Sequence, residues 1–191
     1  MKTTRIAELI SAATRLPVMA VPLFLLVGIA SAGVPGLFWA LLCVFLTSGL
    51  SLLYLLFLTR SGKVSDPHRI PQSERVGPLR VVAALHVGAF IVVTLLDAPA
   101  ALRAVLLAYA IATALFALLS TGINLSLHAA GVSGAAVCLL FVFGLWGAPA
   151  LVLVPLVWWA RARLGRHTPI ELALGTLVGG GGTWLAFQLL G

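Results

Sequence analysis

Residues 37–59 read LFWALLCVFLTSGLSLLYLLFLT, a run of apolar and small side chains without a charge. A helix needs about 20 such residues to cross the hydrocarbon core of a bilayer, so this run is long enough to span one. The rest of the chain has the same character, because 61% of its 191 residues are hydrophobic and only 9% are charged. A soluble domain carries roughly a quarter charged residues. The sequence therefore predicts an integral membrane protein.

Further apolar runs follow one another along the chain. We expect transmembrane helices at residues 16–32, 37–59, 79–97, 101–119, 127–146, 149–164 and 171–190. The run 149–164 is the weakest, because Arg161 interrupts it before a full span is complete. The sequence thus predicts a single all-α membrane domain over residues 1–191, a bundle of six to seven transmembrane helices. An amphipathic basic segment at 1–15 precedes the bundle, and residues 60–78 form its one long polar loop.

The distribution of positive charge indicates an orientation. The net charge is +7, and of the 12 basic residues all except Arg103 lie before the first span or in and beside the loops after the second and sixth spans. With seven spans these regions share one side of the membrane, and short loops rich in Lys and Arg stay in the cytoplasm. We therefore expect a protein of the plasma (inner) membrane with its N-terminus and its polar clusters cytoplasmic.

Other partners and cofactors are not expected from this composition. The basic residues form no stripe interleaved with exposed aromatic residues, so nucleic acid is not an expected partner. Cys43 and Cys138 both lie inside apolar runs, which argues against a disulfide framework or a zinc site. Membrane lipids are the expected surroundings, and oligomeric state is left open by the sequence.

Polar side chains that can do chemistry gather in three places on the predicted cytoplasmic side. These are residues 63–66 with Arg69, Glu74 and Arg75; residues 124–128; and residues 161–167 with Glu171. Several fixed cations suit a phosphoryl group, whose charge is spread over its oxygens. Two histidines allow one to attack while the other moves a proton. The carboxylates are not paired as a magnesium site would require, so we expect phosphoryl chemistry with no metal and no cofactor.

The third cluster carries a family resemblance. Residues 160–172 read ARARLGRHTPIEL, which resembles the third signature of the type 2 phosphatidic acid phosphatase superfamily: Ser-Arg, five residues, His, three residues, Asp. Arg161, Leu164, Gly165, His167 and Pro169 match that pattern in place. The second signature, Pro-Ser-Gly-His, is echoed by LSLH at 125–128, and the first, Lys-x6-Arg-Pro, by Lys63 with the arginines after it. The resemblance covers about residues 60–185.

The resemblance implies a role for each matching residue. His167 would attack phosphorus and form a phosphohistidine, and Glu171 would orient it. His128 would protonate the leaving oxygen and then activate water. The phosphate would be held by Lys63, Arg161, Ser126 and either Arg69 or Arg75. No metal would be required.

The chain departs from the family pattern at several positions. Ala160 replaces the usual Ser, and Glu171 replaces the usual Asp, which lengthens the reach to His167 by one methylene. Leu125 and Leu127 stand where the second signature has Pro and Gly. Arg69 falls one residue short of the expected spacing from Lys63, so Arg75 is a rival for its role.

Structural roles account for some of the same residues. Residues 168–171, TPIE, form a capping-box sequence with Pro at the first helical position. His128 can be an interfacial histidine beside a Ser126 cap, and His86 can snorkel or bond to a neighbouring helix. Arg163 and Arg166 suit topology and lipid headgroups. The glycines of residues 175–182 let the last helix approach its neighbours closely.

Three classes of function remain open on the sequence alone. The favoured one is hydrolysis of a lipid or isoprenoid phosphate or diphosphate at the cytoplasmic face, with an apolar tail entering from the bilayer. The second is a carrier or transporter that binds a phospholipid or anion with the same cations and does not cleave it. The third is a transferase using a prenyl or nucleotide diphosphate, which would call for clustered aspartates that this chain lacks.

Overall fold

The computed structural model describes residues 2–64 and 72–191 of the chain, and within these ranges it is helical with no strand. The α-helices are α1 (Lys2–Ala13), α2 (Leu16–Ala32), α3 (Pro35–Val44), α4 (Leu50–Arg60), α5 (Gln72–Leu95), α6 (Ala100–Leu119), α7 (Leu127–Phe143), α8 (Leu153–Arg163) and α9 (Pro169–Leu190). A turn of π-helix at Phe45–Gly49 joins α3 to α4, and a 3-10 segment at Gly144–Val152 joins α7 to α8. The predicted all-α class is confirmed.

The described helices include enough apolar length for several membrane crossings. By length and composition five segments qualify, and a sixth is added if α1 and α2, which are bent by 54°, count as one span. The predicted run 37–59 lies within one of the five, Pro35–Arg60. The amphipathic segment predicted at 1–15 corresponds to α1, which is set off from α2 by that bend.

The segment Leu127–Arg163 is one long apolar stretch, but it is not straight. Gly144 adopts a φ of 59°, a left-handed conformation that side chains disfavour. Beyond it, Gly147 lies so close to the backbone of Leu139 that a Cβ would collide with it. The chain therefore reverses at Gly144, and α8 packs back against α7. The two spans predicted at 127–146 and 149–164 are the two arms of this hairpin.

Two boundaries predicted from the sequence are wrong. Residues 149–152 are 3-10 helix and not α-helix, because the tight reversal leaves no room for a regular first turn of α8. The predicted loop 60–78 ends early, because α5 begins at Gln72 and contains Pro78. Gln, Glu and Arg in this stretch are good helix formers and extend the helix ahead of the proline.

Close packing of α7 on α9 fixes one end of the bundle. A Cβ on Gly175 would collide with the backbone of Ser126, and one on Gly179 would collide with Ala130. The predicted packing role of the glycines is thereby confirmed at these two positions. The backbone N–H of Ser126 also donates to the carbonyl of Glu171, with 3.3 Å between nitrogen and oxygen. The starts of α7 and α9 are thus held side by side, at what we call the polar end of the bundle.

Candidate functional site

His167 lies at the polar end, in the short connection between α8 and α9. Gly165, with a φ of 60°, turns the chain after α8, and Thr168 starts the next helix as its N-cap. Only 6% of the His167 side chain is exposed. Its imidazole therefore meets protein atoms on most sides, and these contacts decide which of its nitrogens carries the proton.

Both ring nitrogens of His167 have defined neighbours. Nε2 lies 3.2 Å from Nη2 of Arg161, and because a guanidinium can only donate, Nε2 accepts this hydrogen bond. Nδ1 lies 3.1 Å from the carbonyl oxygen of Asn124 and 3.4 Å from Oε2 of Glu171. The side-chain amide nitrogen of Asn124 also lies 3.5 Å from Nδ1, but the two oxygens are nearer and both are acceptors, so the proton of the neutral ring belongs on Nδ1. The lone pair on Nε2 therefore points toward the cation.

Glu171 serves the helix and the histidine with the same carboxylate. Its Oε2 accepts from the backbone N–H of Thr168 at 2.8 Å, and its own N–H donates to Oγ1 of Thr168 at 3.3 Å. This is the predicted capping box, which is confirmed. Since Oε2 also faces Nδ1 of His167, the cap holds the carboxylate where it can orient the imidazole.

Arg161, on the last turn of α8, connects His167 to the N-terminal helix. Its Nη1 donates to the hydroxyl of Ser11 at 2.8 Å while Nη2 donates to His167. His128, in the first turn of α7, lies against the same residue, because its Nε2 is 3.1 Å from the Ser11 carbonyl oxygen. A carbonyl only accepts, so His128 Nε2 carries a proton and donates it. Ser11 therefore joins the second histidine to the Arg161–His167 pair.

The pKa of His167 is lowered from its ordinary value of 6.5, first by burial and then by the neighbouring Arg161 guanidinium. Glu171 and the Asn124 carbonyl act in the opposite direction and offset part of this effect. The imidazole is therefore neutral at pH 7. A neutral ring whose proton is on Nδ1 has a nucleophilic Nε2.

The other predicted phosphate ligands differ in how the structure places them. Ser126 is completely buried, and its hydroxyl accepts from the N–H of Ala129 as the N-cap of α7. Lys63 follows α4, exposed, with its ammonium 5.9 Å from the centre of the Phe57 ring, and the described contacts do not join it to His167. Arg69 lies outside the described residues. Arg75 is on α5, but its side chain is not among those described.

Two residues of this site were not among the predicted site residues. Asn124 was placed in a polar cluster without a role, and it supplies a carbonyl to His167. Ser11 was missed, although it contacts residues 117 and 150 positions further along the chain. The basic amphipathic pattern of residues 1–15 predicts a helix at the interface but does not indicate what that helix packs against.

We name the group Ser11, Asn124, His128, Arg161, His167 and Glu171 the His167 cluster. It combines a neutral imidazole, a carboxylate partner, an adjacent guanidinium and a second histidine. Within the described ranges no group of three or more His, Cys, Asp or Glu side chains is placed to hold a metal ion. No protein-family model, curated protein or solved structure matches this chain.

Proposed function

We propose that this protein hydrolyses a phosphate or diphosphate ester of a lipid or isoprenoid, through a phosphohistidine on His167. The observation that carries the proposal is the orientation of the His167 ring, with Nδ1 facing acceptors and Nε2 facing Arg161. A ring held in this way has its lone pair directed at the place where a cation would hold a phosphoryl group. The resemblance of residues 160–172 to the phosphatase signature supports the same assignment.

In the first step, the Nε2 lone pair forms a bond to phosphorus as the bond from phosphorus to the ester oxygen breaks. Arg161 exchanges its hydrogen bond to Nε2 for bonds to the phosphoryl oxygens, whose negative charge it stabilises. As Nε2 becomes bonded, positive charge develops on the ring, and Glu171 stabilises it through Nδ1–H. His128, as the imidazolium, gives a proton to the leaving oxygen and becomes neutral.

In the second step, water attacks the phosphohistidine and transfers a proton to His128. The bond between phosphorus and Nε2 breaks, its electrons return to the ring, and inorganic phosphate is released. For both proton transfers His128 must leave the Ser11 carbonyl, which holds its Nε2 in the structure. Lys63 and either Arg69 or Arg75 are the proposed further cations of this site.

We also propose that the polar end faces the cytoplasm of a plasma (inner) membrane, on the basis of the basic loops.

The experiment is phosphate release by detergent-purified protein from a panel of lipid and isoprenoid phosphates, with EDTA present. We expect release by the wild type and a fall of about 10³-fold or more in His167→Ala, as for loss of a nucleophile that acts with its partners as a unit. Arg166→Ala is the matched control, because Arg166 is exposed beside the histidine, and it should keep release within about twofold.

Trapping the intermediate separates the nucleophile from a mere ligand. With phosphate-labelled substrate and rapid acid-free denaturation, the wild type should retain label that is stable to alkali and lost in acid, the stability of a phosphoramidate. His167→Ala should retain none. Equal release by the wild type and His167→Ala would refute the assigned role of His167.

One observation favours the second candidate, a carrier that binds phosphate without cleaving it. Both histidines are hydrogen-bonded to protein partners, and Arg161 covers Nε2 of His167. A carrier would bind a lipid phosphate with no release of phosphate, and His167→Ala would leave binding largely intact while Arg161→Ala would weaken it. The proposed hydrolase, in contrast, must release phosphate from at least one of these esters.

A further inference from the structure

A cavity of about 290 Å³ lies inside the bundle beneath α4. Its walls come from α2, α4, α5, α6, α7 and α9 together with the π-helical turn. At the polar end it is bordered by Leu16, Leu79, Phe116 and Leu127, and farther in by Val105 and Cys138. Leu58 is the buried residue of α4, so this helix covers the cavity without packing tightly into the core.

The length of the cavity follows from two helices that run along it. On α7 the lining residues extend from Leu127 to Cys138 on one face, and on α6 they extend from Val105 to Phe116. Each interval covers 11 residues (138 − 127 and 116 − 105), and at 1.5 Å per residue each is about 16 Å long. An extended chain advances about 1.2 Å per bond, as a polypeptide does. The cavity is therefore about a dozen bonds long.

The polar side chains in the wall largely bond to the protein. Nδ1 of His86 lies 3.3 Å from the hydroxyl of Thr113, which donates to the Tyr109 carbonyl at 2.7 Å. Thr47 and Thr183 donate to carbonyls of their own helices, at 2.7 and 2.8 Å. The Ser51 hydroxyl is buried with no partner among the described residues. Since few polar groups face inward, the occupant must be apolar.

No residue of the His167 cluster lines the cavity, but one end of the cavity lies at the polar end, where that cluster is. Leu127 lies between Ser126 and His128 in sequence, and Leu16 follows directly after Arg15, at the junction of α1 and α2. The α1 helix also carries Ser11, which bonds to Arg161. A chain that enters the cavity from this end would leave its head at the polar end, which carries the guanidinium and the histidines.

We propose that this cavity binds the single apolar chain, about a dozen bonds long, of a phosphate ester whose headgroup lies on Arg161 and His167. The inference rests on the proposed function for the position of the headgroup. The volume is at the lower end of the range for small-molecule sites, about 300–1,000 Å³, and it accommodates one chain, not the two of a diacyl lipid. A prenyl chain and an alkyl chain share this chemistry.

The test measures binding to the protein in nanodiscs, with His167→Ala as the background so that hydrolysis does not enter. The probes are prenyl and n-alkyl monophosphates of increasing length, with free aqueous concentration corrected for partition into lipid. Affinity should rise up to about fourfold per added methylene, the value of a fully buried CH₂, and should stop rising near a dozen bonds. Tighter binding of prenyl than of alkyl chains of equal length would identify an isoprenoid occupant.

Cavity-filling variants locate the chain. Ala112 and Ala108 line the cavity one and two helical turns beyond Phe116, so Ala108→Phe should move the length limit to shorter chains, and Ala112→Phe, which is nearer the polar end, should shorten it further. Ala114→Phe is the matched control, because Ala114 is on the same helix and does not line the cavity. It should bind the monophosphate probes with the same affinity and the same length limit as His167→Ala alone. Size-exclusion profiles and melting temperatures identify a variant that fails to fold, and the second filling variant then carries the test.

The outcomes separate this inference from the proposed function. A length limit that both filling variants shorten supports the inference, even if the wild type releases no phosphate from any ester. Affinity that increases without a limit, or that is the same in Ala112→Phe and Ala114→Phe, overturns it even if the wild type is an active phosphatase. Binding of a diacyl phosphatidic acid as tight as that of the single-chain monophosphates would also overturn it, because two chains do not fit.

Discussion

His167 and His86 are both largely buried histidines of this bundle, but their surroundings differ. His86, on α5, bonds to one hydroxyl of the adjacent helix, and that hydroxyl is itself satisfied by a carbonyl of its own helix. His167 is contacted by Asn124, Arg161 and Glu171, which come from three separate segments. A single hydrogen bond is enough to bury a histidine. His167 has three polar partners (a carbonyl, a guanidinium and a carboxylate), which is more than burial of an imidazole requires.

The comparison teaches that burial of an ionisable group is a weak indicator of function when it is considered alone. Intramembrane polar residues are expensive and often functional, and by that criterion His86, which lies inside a predicted span, would stand out more than His167, which lies between two. In the structure His86 has the helix-to-helix hydrogen bond that was one of its predicted structural roles. What distinguishes His167 is the number of elements that contact it.

The largest expected effect tests whether the His167 cluster acts as a unit. Arg161→Ala removes the donor that faces Nε2 and should lower phosphate release by about 10²–10³-fold, the usual loss for one preorganised donor to a developing charge. Arg163→Ala is the matched control two residues away, where the exposed guanidinium reaches Thr3 only at 3.5 Å. It should keep release within about twofold, and a comparable fall in both variants would indicate a general effect of surface charge.

An effect of intermediate size is expected on the pH dependence of phosphate release. Release requires neutral His167, so its rate should rise as pH increases through the pKa of His167, which lies below 6.5. Glu171 raises this pKa, and Glu171→Gln, which can keep the capping hydrogen bonds, should therefore shift the acidic limb to lower pH. The check is the pH profile of release for both proteins. A shift to higher pH would contradict the assigned contact between Glu171 and the ring.

The smallest expected effects are on stability and sharpen the contrast with His86. Thr113→Val leaves His86 without its hydroxyl partner and should lower the free energy of unfolding by about 1–3 kcal/mol, the cost of a buried donor left unsatisfied. Thr168→Ala removes the N-cap of α9 and should cost about 1 kcal/mol. Thermal unfolding in detergent measures both. Only Thr168→Ala should also slow phosphate release, because its cap positions Glu171.

Much of the fold could be predicted from the sequence because hydropathy reports local burial in lipid. Runs such as 101–119 and 171–190 correspond closely to α6 and α9. The errors fell where local rules compete. Pro78 was taken as the end of a loop but lies inside α5, and Pro149 was taken as the start of an α-helix but lies in a 3-10 segment.

The candidate site was predictable only where its residues are close in sequence. Arg161, His167 and Glu171 lie within one short motif, and the structure brings them into contact. His128 was also proposed, but its contact with Ser11 depends on how α1 packs across the bundle. No local pattern specifies such a contact, because it is decided by the docking of one amphipathic helix onto the ends of others.

The bonds made by Ser11 also have a consequence for the order of assembly. A chain is synthesised from its N-terminus, so Ser11 is made 117 residues before His128 and 150 residues before Arg161, its two partners. Closing contacts over such separations is slow compared with forming neighbouring hairpins. The His167 cluster should therefore be among the last parts of the protein to form during insertion, and a chain halted before α8 would lack both Arg161 and His167.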